Sequence, residues 1–196
     1  MDSSELVRTA LLVMDFQTGI VERVRGEGAI GSARRAVGAA RSAGVRVIFV
    51  RVAFRPGFPE VSPRNASFSQ VRERGGFTES DPSTQVHPDL IPAPGEPVAI
   101  KRRVSAFAGS DLEVLLRAGG ITHLVLTGLS TSGVVLSTIR QAADLDYAIT
   151  VLGDGCADSD AEVHRVLLEK VFPRQARVTT VDAWASELAG VHPPPD

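Results

Sequence analysis

TALLVMDFQ, residues 9–17, is the stretch that decides the fold. Its first six residues, Thr9–Met14, form a short and almost wholly apolar run, which predicts a strand buried on both faces of a sheet. A carboxylate, Asp15, follows this run directly. Five more short runs also predict strands: residues 45–52, 97–101, 122–127, 148–152 and 176–180.

Stretches with helical periodicity lie between these strands. They predict helices over residues 32–43, 110–118, 131–145 and 182–188, and one more that begins at Asp158 as its N-cap and runs to about residue 171. Strands that alternate with helices of this length form right-handed βαβ units. We therefore predict an α/β fold in three α-β-α layers, with a six-stranded, mostly parallel, Rossmann-like sheet and helices on both faces, in a single domain over residues 1–196.

Residues 53–96 interrupt this alternation, because they are rich in proline, glycine, serine and charged residues. A loop of this length in a compact domain is usually functional or disordered. We interpret it as a partly ordered lid with a short helix near residues 68–74, and a surface insertion without a role is the open alternative. The proline-rich tail, residues 190–196, is expected to be frayed.

The composition favours this fold and argues against several functions. Of the 196 residues, 43% are hydrophobic and only 5% aromatic, so the core must be mainly aliphatic, as suits a parallel sheet. A formal net charge of -2 gives no reason to expect nucleic acid or an anionic membrane as partner. No apolar run reaches the ~18 residues of a membrane-spanning helix, and no signal-peptide pattern is present. One cysteine, Cys156, excludes an intramolecular disulfide, so we expect a cytoplasmic protein.

Two charged residues at predicted strand ends are the first candidates for chemistry. Asp15 follows the first strand, and Lys101 ends the third. If the two meet, each offsets the other's desolvation, and the carboxylate can be oriented to transfer a proton. The alternative is that Asp15 caps the next turn while Lys101 points to solvent. The neighbouring Arg102 and Arg103 are interpreted as a solvated strand end.

The segment GLSTSG, residues 128–133, joins the fourth strand to its helix. Small residues at a helix start offer free backbone amides, here those of residues 130–134, which could bind an oxyanion. The alternative is an ordinary helix cap made by Ser130, Thr131 or Ser132. Cys156 is interpreted as an inert, half-buried residue. The spacing of the histidines gives no support for a metal site, and we expect no cofactor.

Four segments in order carry a resemblance to a known family: LLVMDFQ, KRRVSAF, GLSTSGVVLST and VLGDGCAD. Together, over residues 9–188, they resemble the isochorismatase-like hydrolases, also called the cysteine hydrolase superfamily. The resemblance implies a six-stranded parallel sheet, a small-molecule substrate, and a homodimer or homotetramer. It also implies a cis peptide bond between Leu129 and Ser130.

The resemblance implies roles for individual residues as well. Amidases of the family use an Asp–Lys–Cys triad, in which Asp15 and Lys101 match the first two members. The cysteine position falls on Val134, and Cys156 does not match it. The remaining substrate or oxyanion positions that the resemblance and the turn suggest are Gln17, Phe107, Leu129, Ser130, Thr131, Ser132 and Gly133. The Asp-x-His metal motif of the nicotinamidase branch is missing, because residues 51–60 read RVAFRPGFPE.

The missing cysteine decides between functions. Isochorismatases of the family also lack it, carry glycine there, and cleave a vinyl ether with the aspartate as general acid. We therefore predict non-covalent hydrolysis, assisted by Asp15 and Lys101, of a vinyl ether or a related C–O or C–N bond. The larger Val134 and the nearby Ser130 argue against isochorismate itself as substrate. The alternatives are an inactive small-molecule-binding protein of the same fold and an amidase with Ser130 or Ser132 as nucleophile.

Overall fold

The computed structural model describes residues 3–190, so the tail expected to be frayed lies, apart from residue 190, outside the described residues. Six strands form one sheet: β1 (Thr9–Met14), β2 (Arg46–Val52), β3 (Val98–Lys101), β4 (His123–Leu129), β5 (Ala148–Ala157) and β6 (Arg177–Thr179). Their order is β3-β2-β1-β4-β5-β6, and all five pairings are parallel. The predicted α/β class is therefore confirmed.

Helices cover both faces of the sheet. They are α1 (Ser3–Val7), α2 (Thr18–Val24), α3 (Glu27–Ser42), α4 (Ala66–Arg74), α5 (Leu112–Ala118), α6 (Leu136–Asp144), α7 (Ala161–Val166) and α8 (Val181–Ala189). One aliphatic cluster includes α2, α3 and α8, and a second includes α5 and α6. None of the described helices is both long and apolar enough to cross a membrane.

Four of the predicted elements differ clearly from those observed. The helix predicted over residues 32–43 begins five residues earlier, as α3 (Glu27–Ser42). The fifth strand continues past residue 152 to Ala157, because β5 resumes its pairing with β4 after a register shift between Leu126 and Gly128. The predicted helix over residues 131–145 begins as a π-helical turn, Thr131–Val135, before α6. The N-cap of α7 is Asp160 instead of Asp158, since the Asp160 carboxylate accepts hydrogen bonds from the amides of Glu162 and Val163.

The long segment 53–96 is ordered on the surface of the sheet. It contains α4, which begins two residues before the expected helix, and two 3₁₀ turns, Pro82–Thr84 and Pro88–Leu90. Isolated bridges join Phe54 to Thr78 and Gln17 to Val86. The segment therefore attaches to the ends of β1 and β2, which is where the candidate residues lie.

Candidate active site

Asp15 lies immediately beyond the carboxyl end of β1 in a left-handed backbone conformation, with φ of 58°. Aspartate adopts this conformation more readily than most residues. Its amide donates to the carbonyl oxygen of Val50 at 2.8 Å, which continues the pairing of β1 with β2 for one more residue. The residue is only 5% exposed. The turn therefore fixes the carboxylate at the edge of the sheet without exposing it to bulk solvent.

Lys101 reaches this carboxylate from two strands away. It ends β3, and β2 lies between β3 and β1, so only a long side chain could span the gap. Its Nζ lies 2.9 Å from Asp15 Oδ2 and also donates to the carbonyl oxygens of Arg103 and Val104 at 3.0 Å each. These three acceptors use all three protons of an ammonium group. Lys101 is 2% exposed, so the alternative of a solvent-facing lysine does not hold.

The second oxygen of the carboxylate has no partner. Asp15 Oδ1 is buried and makes no hydrogen bond with the described residues. Burial raises the pKa of Asp15 above its ordinary value of 3.8, although the charges of Lys101 and Arg23 act in the opposite direction. A buried carboxyl oxygen without a partner is costly unless a ligand or water completes it. The geometry therefore leaves one oxygen of Asp15 available for chemistry.

A cavity of about 270 Å³ adjoins Asp15 and Lys101. Four of the residues suggested by the sequence line it: Leu129, Ser130, Gly133 and Val134. The sequence analysis missed the other lining residues, which are Ile20 and Arg23 on α2, Val52 at the end of β2, Ser67, Phe68 and Val71 on α4, and Val104. The apolar residues of α2, Ile20, Val21 and Val24, form too short a pattern to have indicated this helix from the sequence.

The turn after β4 is only partly free to bind an oxygen. The peptide bond between Leu129 and Ser130 is cis, as the resemblance implied. The amide of Ser132 donates to Asp158 Oδ2 at 2.7 Å, and the amide of Gly133 donates to the carbonyl oxygen of Ser130 at 3.2 Å. These two amides are therefore not available as oxyanion donors. The amide of Val134 remains a candidate of the predicted set.

Two side chains of this turn point away from the cavity. Thr131 is fully buried, and its Oγ1 lies 2.7 Å from Nδ1 of His164. The hydroxyl of Ser132 donates to Asp158 at 2.7 Å. This explains why Asp158 does not cap α7: its carboxylate is bound to the turn after β4. Neither side chain lines the cavity, so both leave the candidate site.

Gln17 and Phe107 are also placed elsewhere. Gln17 is fully buried, and its amide group is bound to the backbone of Val52 and Thr84. Phe107 packs in the second aliphatic cluster, with its ring centroid 6.0 Å from that of Tyr147. Neither residue lines the cavity. The sequence motifs located both residues correctly along the chain but could not show which way each side chain points.

Cys156 is not part of the site. It lies on β5 and is 4% exposed, more deeply buried than expected. Burial raises the pKa of its thiol to about 12. A thiol in this state is a poor nucleophile at neutral pH.

Arg102 and Arg103 are not the solvated strand end that the sequence predicted. The side chain of Arg102 is 12% exposed and binds both the carbonyl oxygen of Ala53 and the carboxylate of Glu79. Arg103 donates to the carbonyl oxygen of Glu60 at 2.8 Å. The two arginines after Lys101 therefore hold segment 53–96 against the same strand end that carries the lysine. Within residues 3–190, no group of His, Cys, Asp and Glu side chains is arranged to hold a metal ion.

The chain has clear relatives among known proteins. Residues 9–183 match the sequence profile of the isochorismatase domain. The ureidoacrylate amidohydrolase RutB of Variovorax paradoxus is 33% identical, in an alignment that covers 92% of this chain and 81% of the relative. A probable inactive nicotinamidase of Arabidopsis thaliana is 29% identical over 189 aligned residues, covering 92% of this chain and 96% of the relative.

Solved structures share the fold. An isochorismatase family protein from Burkholderia thailandensis superposes with a TM-score of 0.82 and 28% sequence identity, covering 93% of this chain and 96% of that chain.

Proposed function

Because this chain belongs to the isochorismatase family, we propose that it is a hydrolase that cleaves a C–O or C–N bond of a small molecule without a covalent enzyme intermediate. One observation supports the proposal above the others. Oδ1 of Asp15 is buried and unpartnered beside a cavity, while Oδ2 is held by Lys101 at 2.9 Å. The residue that matches the family's nucleophile, Val134, lines the same cavity and has no group that could attack a substrate.

In this proposal Asp15 transfers the proton. Burial raises its pKa, which favours the protonated carboxyl group that a general acid needs. With a vinyl ether, the proton of Oδ1 goes to the terminal carbon of the double bond, and water adds to the resulting oxocarbenium carbon. The added water then returns a proton to Asp15, and the hemiketal collapses to a carbonyl compound and an alcohol. With an amide, the ionised carboxylate takes a proton from water, which attacks the carbonyl carbon, and passes that proton to the leaving nitrogen.

Lys101 serves this chemistry by position and charge. Its ammonium protons are bound to Asp15 Oδ2 and two backbone carbonyls, so it orients the carboxyl group and does not need to release a proton itself. When Asp15 ionises during the cycle, the adjacent positive charge stabilises the carboxylate. The amide of Val134 is the candidate donor to an oxygen that becomes negative at the substrate.

The test compares three purified variants with the wild-type chain on isochorismate and ureidoacrylate, which represent the two bond types. We expect Asp15→Asn and Lys101→Met to lower kcat/KM at least 100-fold on whichever compound turns over, the size expected for loss of general acid–base catalysis. Val134→Ala is the matched control in the same cavity, and we expect its kcat/KM to stay within about tenfold of the wild-type value. Circular dichroism checks that each variant is folded.

Two results would contradict the mechanism. One is turnover by Asp15→Asn at the wild-type rate. The other is an enzyme adduct, seen by intact-mass measurement during turnover, because the non-covalent route forms none. An adduct on Ser130 would favour the serine-nucleophile alternative, although its hydroxyl makes no hydrogen bond to a histidine or carboxylate within residues 3–190.

A second candidate function is an inactive binding protein that keeps the cavity. Val134 at the nucleophile position and the relative described as a probable inactive nicotinamidase favour it. This function predicts that small molecules raise the melting temperature without any product. Turnover that Lys101→Met abolishes would exclude it.

A further inference from the structure

The cavity beside Asp15 is lined by an arginine, Arg23, that has no hydrogen-bond or ion-pair partner within residues 3–190. The charged residues that line the cavity are Asp15, Lys101 and Arg23. The first two contact each other, with Nζ of Lys101 2.9 Å from Oδ2 of Asp15. The charge of Arg23 also acts on the carboxyl group of Asp15.

Arg23 forms no ion pair with Glu27, an acidic residue close to it in the sequence. Glu27 follows it by four residues, which is the spacing at which Arg117 pairs with Glu113 and Arg165 pairs with Glu169. Arg23 and Glu27 form no such pair, because α2 ends at Val24 and the chain turns at a left-handed residue before Glu27. Arg23 instead lies at the wall of the cavity, on the same helix as Ile20.

The remaining lining defines what could fill the cavity. It is largely aliphatic and aromatic, with Ile20, Phe68, Val71 and Leu129 among its members, and the hydroxyls of two serines add the capacity for hydrogen bonds. A volume of about 270 Å³ is at the low end for small-molecule sites. The cavity therefore suits a compact molecule with an apolar body and one polar end.

We propose that the substrate is a small monocarboxylate whose carboxylate binds the guanidinium of Arg23 while its scissile bond lies at Oδ1 of Asp15. This inference rests on the proposed function and adds the substrate class to it. The planar fork of an arginine matches a carboxylate with two parallel hydrogen bonds. The three protons of Lys101 are already bound to Asp15 and two carbonyl oxygens, so Arg23 is the lining cation left to bind a ligand. One guanidinium suits one carboxylate, whereas a phosphate monoester would bring close to two negative charges to it.

The test measures binding and needs no turnover. Benzoate and benzamide have the same skeleton and differ in charge at one end, and titration calorimetry gives the Kd of each for the full chain. We expect the wild-type chain to bind benzoate at least tenfold more tightly than benzamide, as one charge-assisted hydrogen bond would provide. Arg23→Gln should remove this preference, and Arg23→Lys should restore only part of it.

Arg25→Gln is the matched control: Arg23 and Arg25 are both exposed and carry the same charge, but only Arg23 lines the cavity. It should bind benzoate as the wild-type chain does. The proposal is overturned if Arg23→Gln binds benzoate with unchanged affinity, or if Arg25→Gln weakens the binding by the same factor. It is also overturned if the wild-type chain does not bind benzoate, or binds it no more tightly than benzamide. If the hydrolytic mechanism is wrong instead, Asp15→Asn should still turn over substrate, while benzoate binding should still depend on Arg23.

Discussion

Gln17 pairs with Val52 as one strand residue pairs with another: its Nε2 donates to the carbonyl oxygen of Val52, and its Oε1 accepts from the Val52 amide, both at 2.8 Å. The same Nε2 donates to the carbonyl oxygen of Thr84 at 2.8 Å. A side chain two residues after Asp15 therefore extends the pairing of β1 with β2. It also attaches segment 53–96 to that end of the sheet.

Replacing this amide should destabilise the fold. Gln17→Leu leaves the backbone amide and carbonyl of Val52 without partners in a buried place, while the carbonyl oxygen of Thr84 keeps its hydrogen bond from Arg51. We expect a loss of about 2 to 4 kcal/mol in the free energy of unfolding. Urea unfolding measures it. Gln70→Leu on the exposed side of α4 is the control and should change stability little. A Gln17→Leu chain as stable as the wild type would show that the three bonds contribute nothing net.

The buried carboxyl group should make stability depend on pH in a specific direction. Because the pKa of Asp15 is raised in the folded chain, the folded state holds this proton more tightly than the unfolded state does. The contribution of Asp15 to stability is therefore present below its ordinary value of 3.8 and falls as pH rises towards the raised value.

The Asp15→Asn variant isolates this effect, since it lacks the titrating group and keeps every histidine. The free energy of unfolding of the wild type minus that of the variant should fall as pH rises above the ordinary value of 3.8, with a slope of at most about 1.4 kcal/mol per pH unit. Urea titrations at several pH values measure the difference. A difference that grows with pH would mean that Lys101 outweighs burial and lowers the pKa.

The two positions relevant to thiol chemistry should react very differently. With a pKa of about 12, the thiol of Cys156 should resist iodoacetamide in the native chain near neutral pH and react only in concentrated urea. In the V134C variant, position 134 lines the cavity beside Lys101, and we expect alkylation there while the chain is folded. Peptide mass spectrometry locates the label. Native labelling at residue 156 in preference to 134 would contradict this description of the cavity.

The arginine after the catalytic candidate Lys101 should hold the long segment in place. Arg102→Ala removes contacts to Ala53 and Glu79 from a side chain that is 12% exposed, and we expect a loss of about 3 kcal/mol. Hydrogen exchange should increase within residues 53–81. Arg117→Ala, which removes an exposed helix pair with Glu113, should cost less than about 1 kcal/mol. Equal losses in the two variants would show that Arg102 does not anchor the segment.

The sequence was a good guide to the sheet and a poorer one to side-chain direction. The apolar runs located all six strands, but the glycines at 153 and 155 hid the last five residues of β5, which pair with β4 only after a register shift. The meeting of Asp15 and Lys101 could be predicted, because both follow the carboxyl ends of parallel strands. The inward turn of Gln17 could not, since a buried amide and a substrate-binding amide look alike in sequence.

The helix that carries Arg23, α2, could not be predicted from the sequence either. Its seven residues are too few, and too rich in β-branched side chains and glycine, for periodicity alone to indicate a helix. Tertiary packing of Ile20, Val21 and Val24 stabilises it instead. The residue that we propose to recognise the substrate was therefore hidden in a segment without a clear local signal.

A valine at position 134 also affects the order in which reactants must assemble. Where a side chain attacks first, water can enter after part of the substrate has departed. In the non-covalent route that we propose, the attacking water must be present together with the substrate, so both share the 270 Å³. Since one water takes about 30 Å³ of liquid volume, roughly a tenth of that space is reserved for it. Compounds large enough to displace this last water should therefore occupy the site as inhibitors and escape hydrolysis.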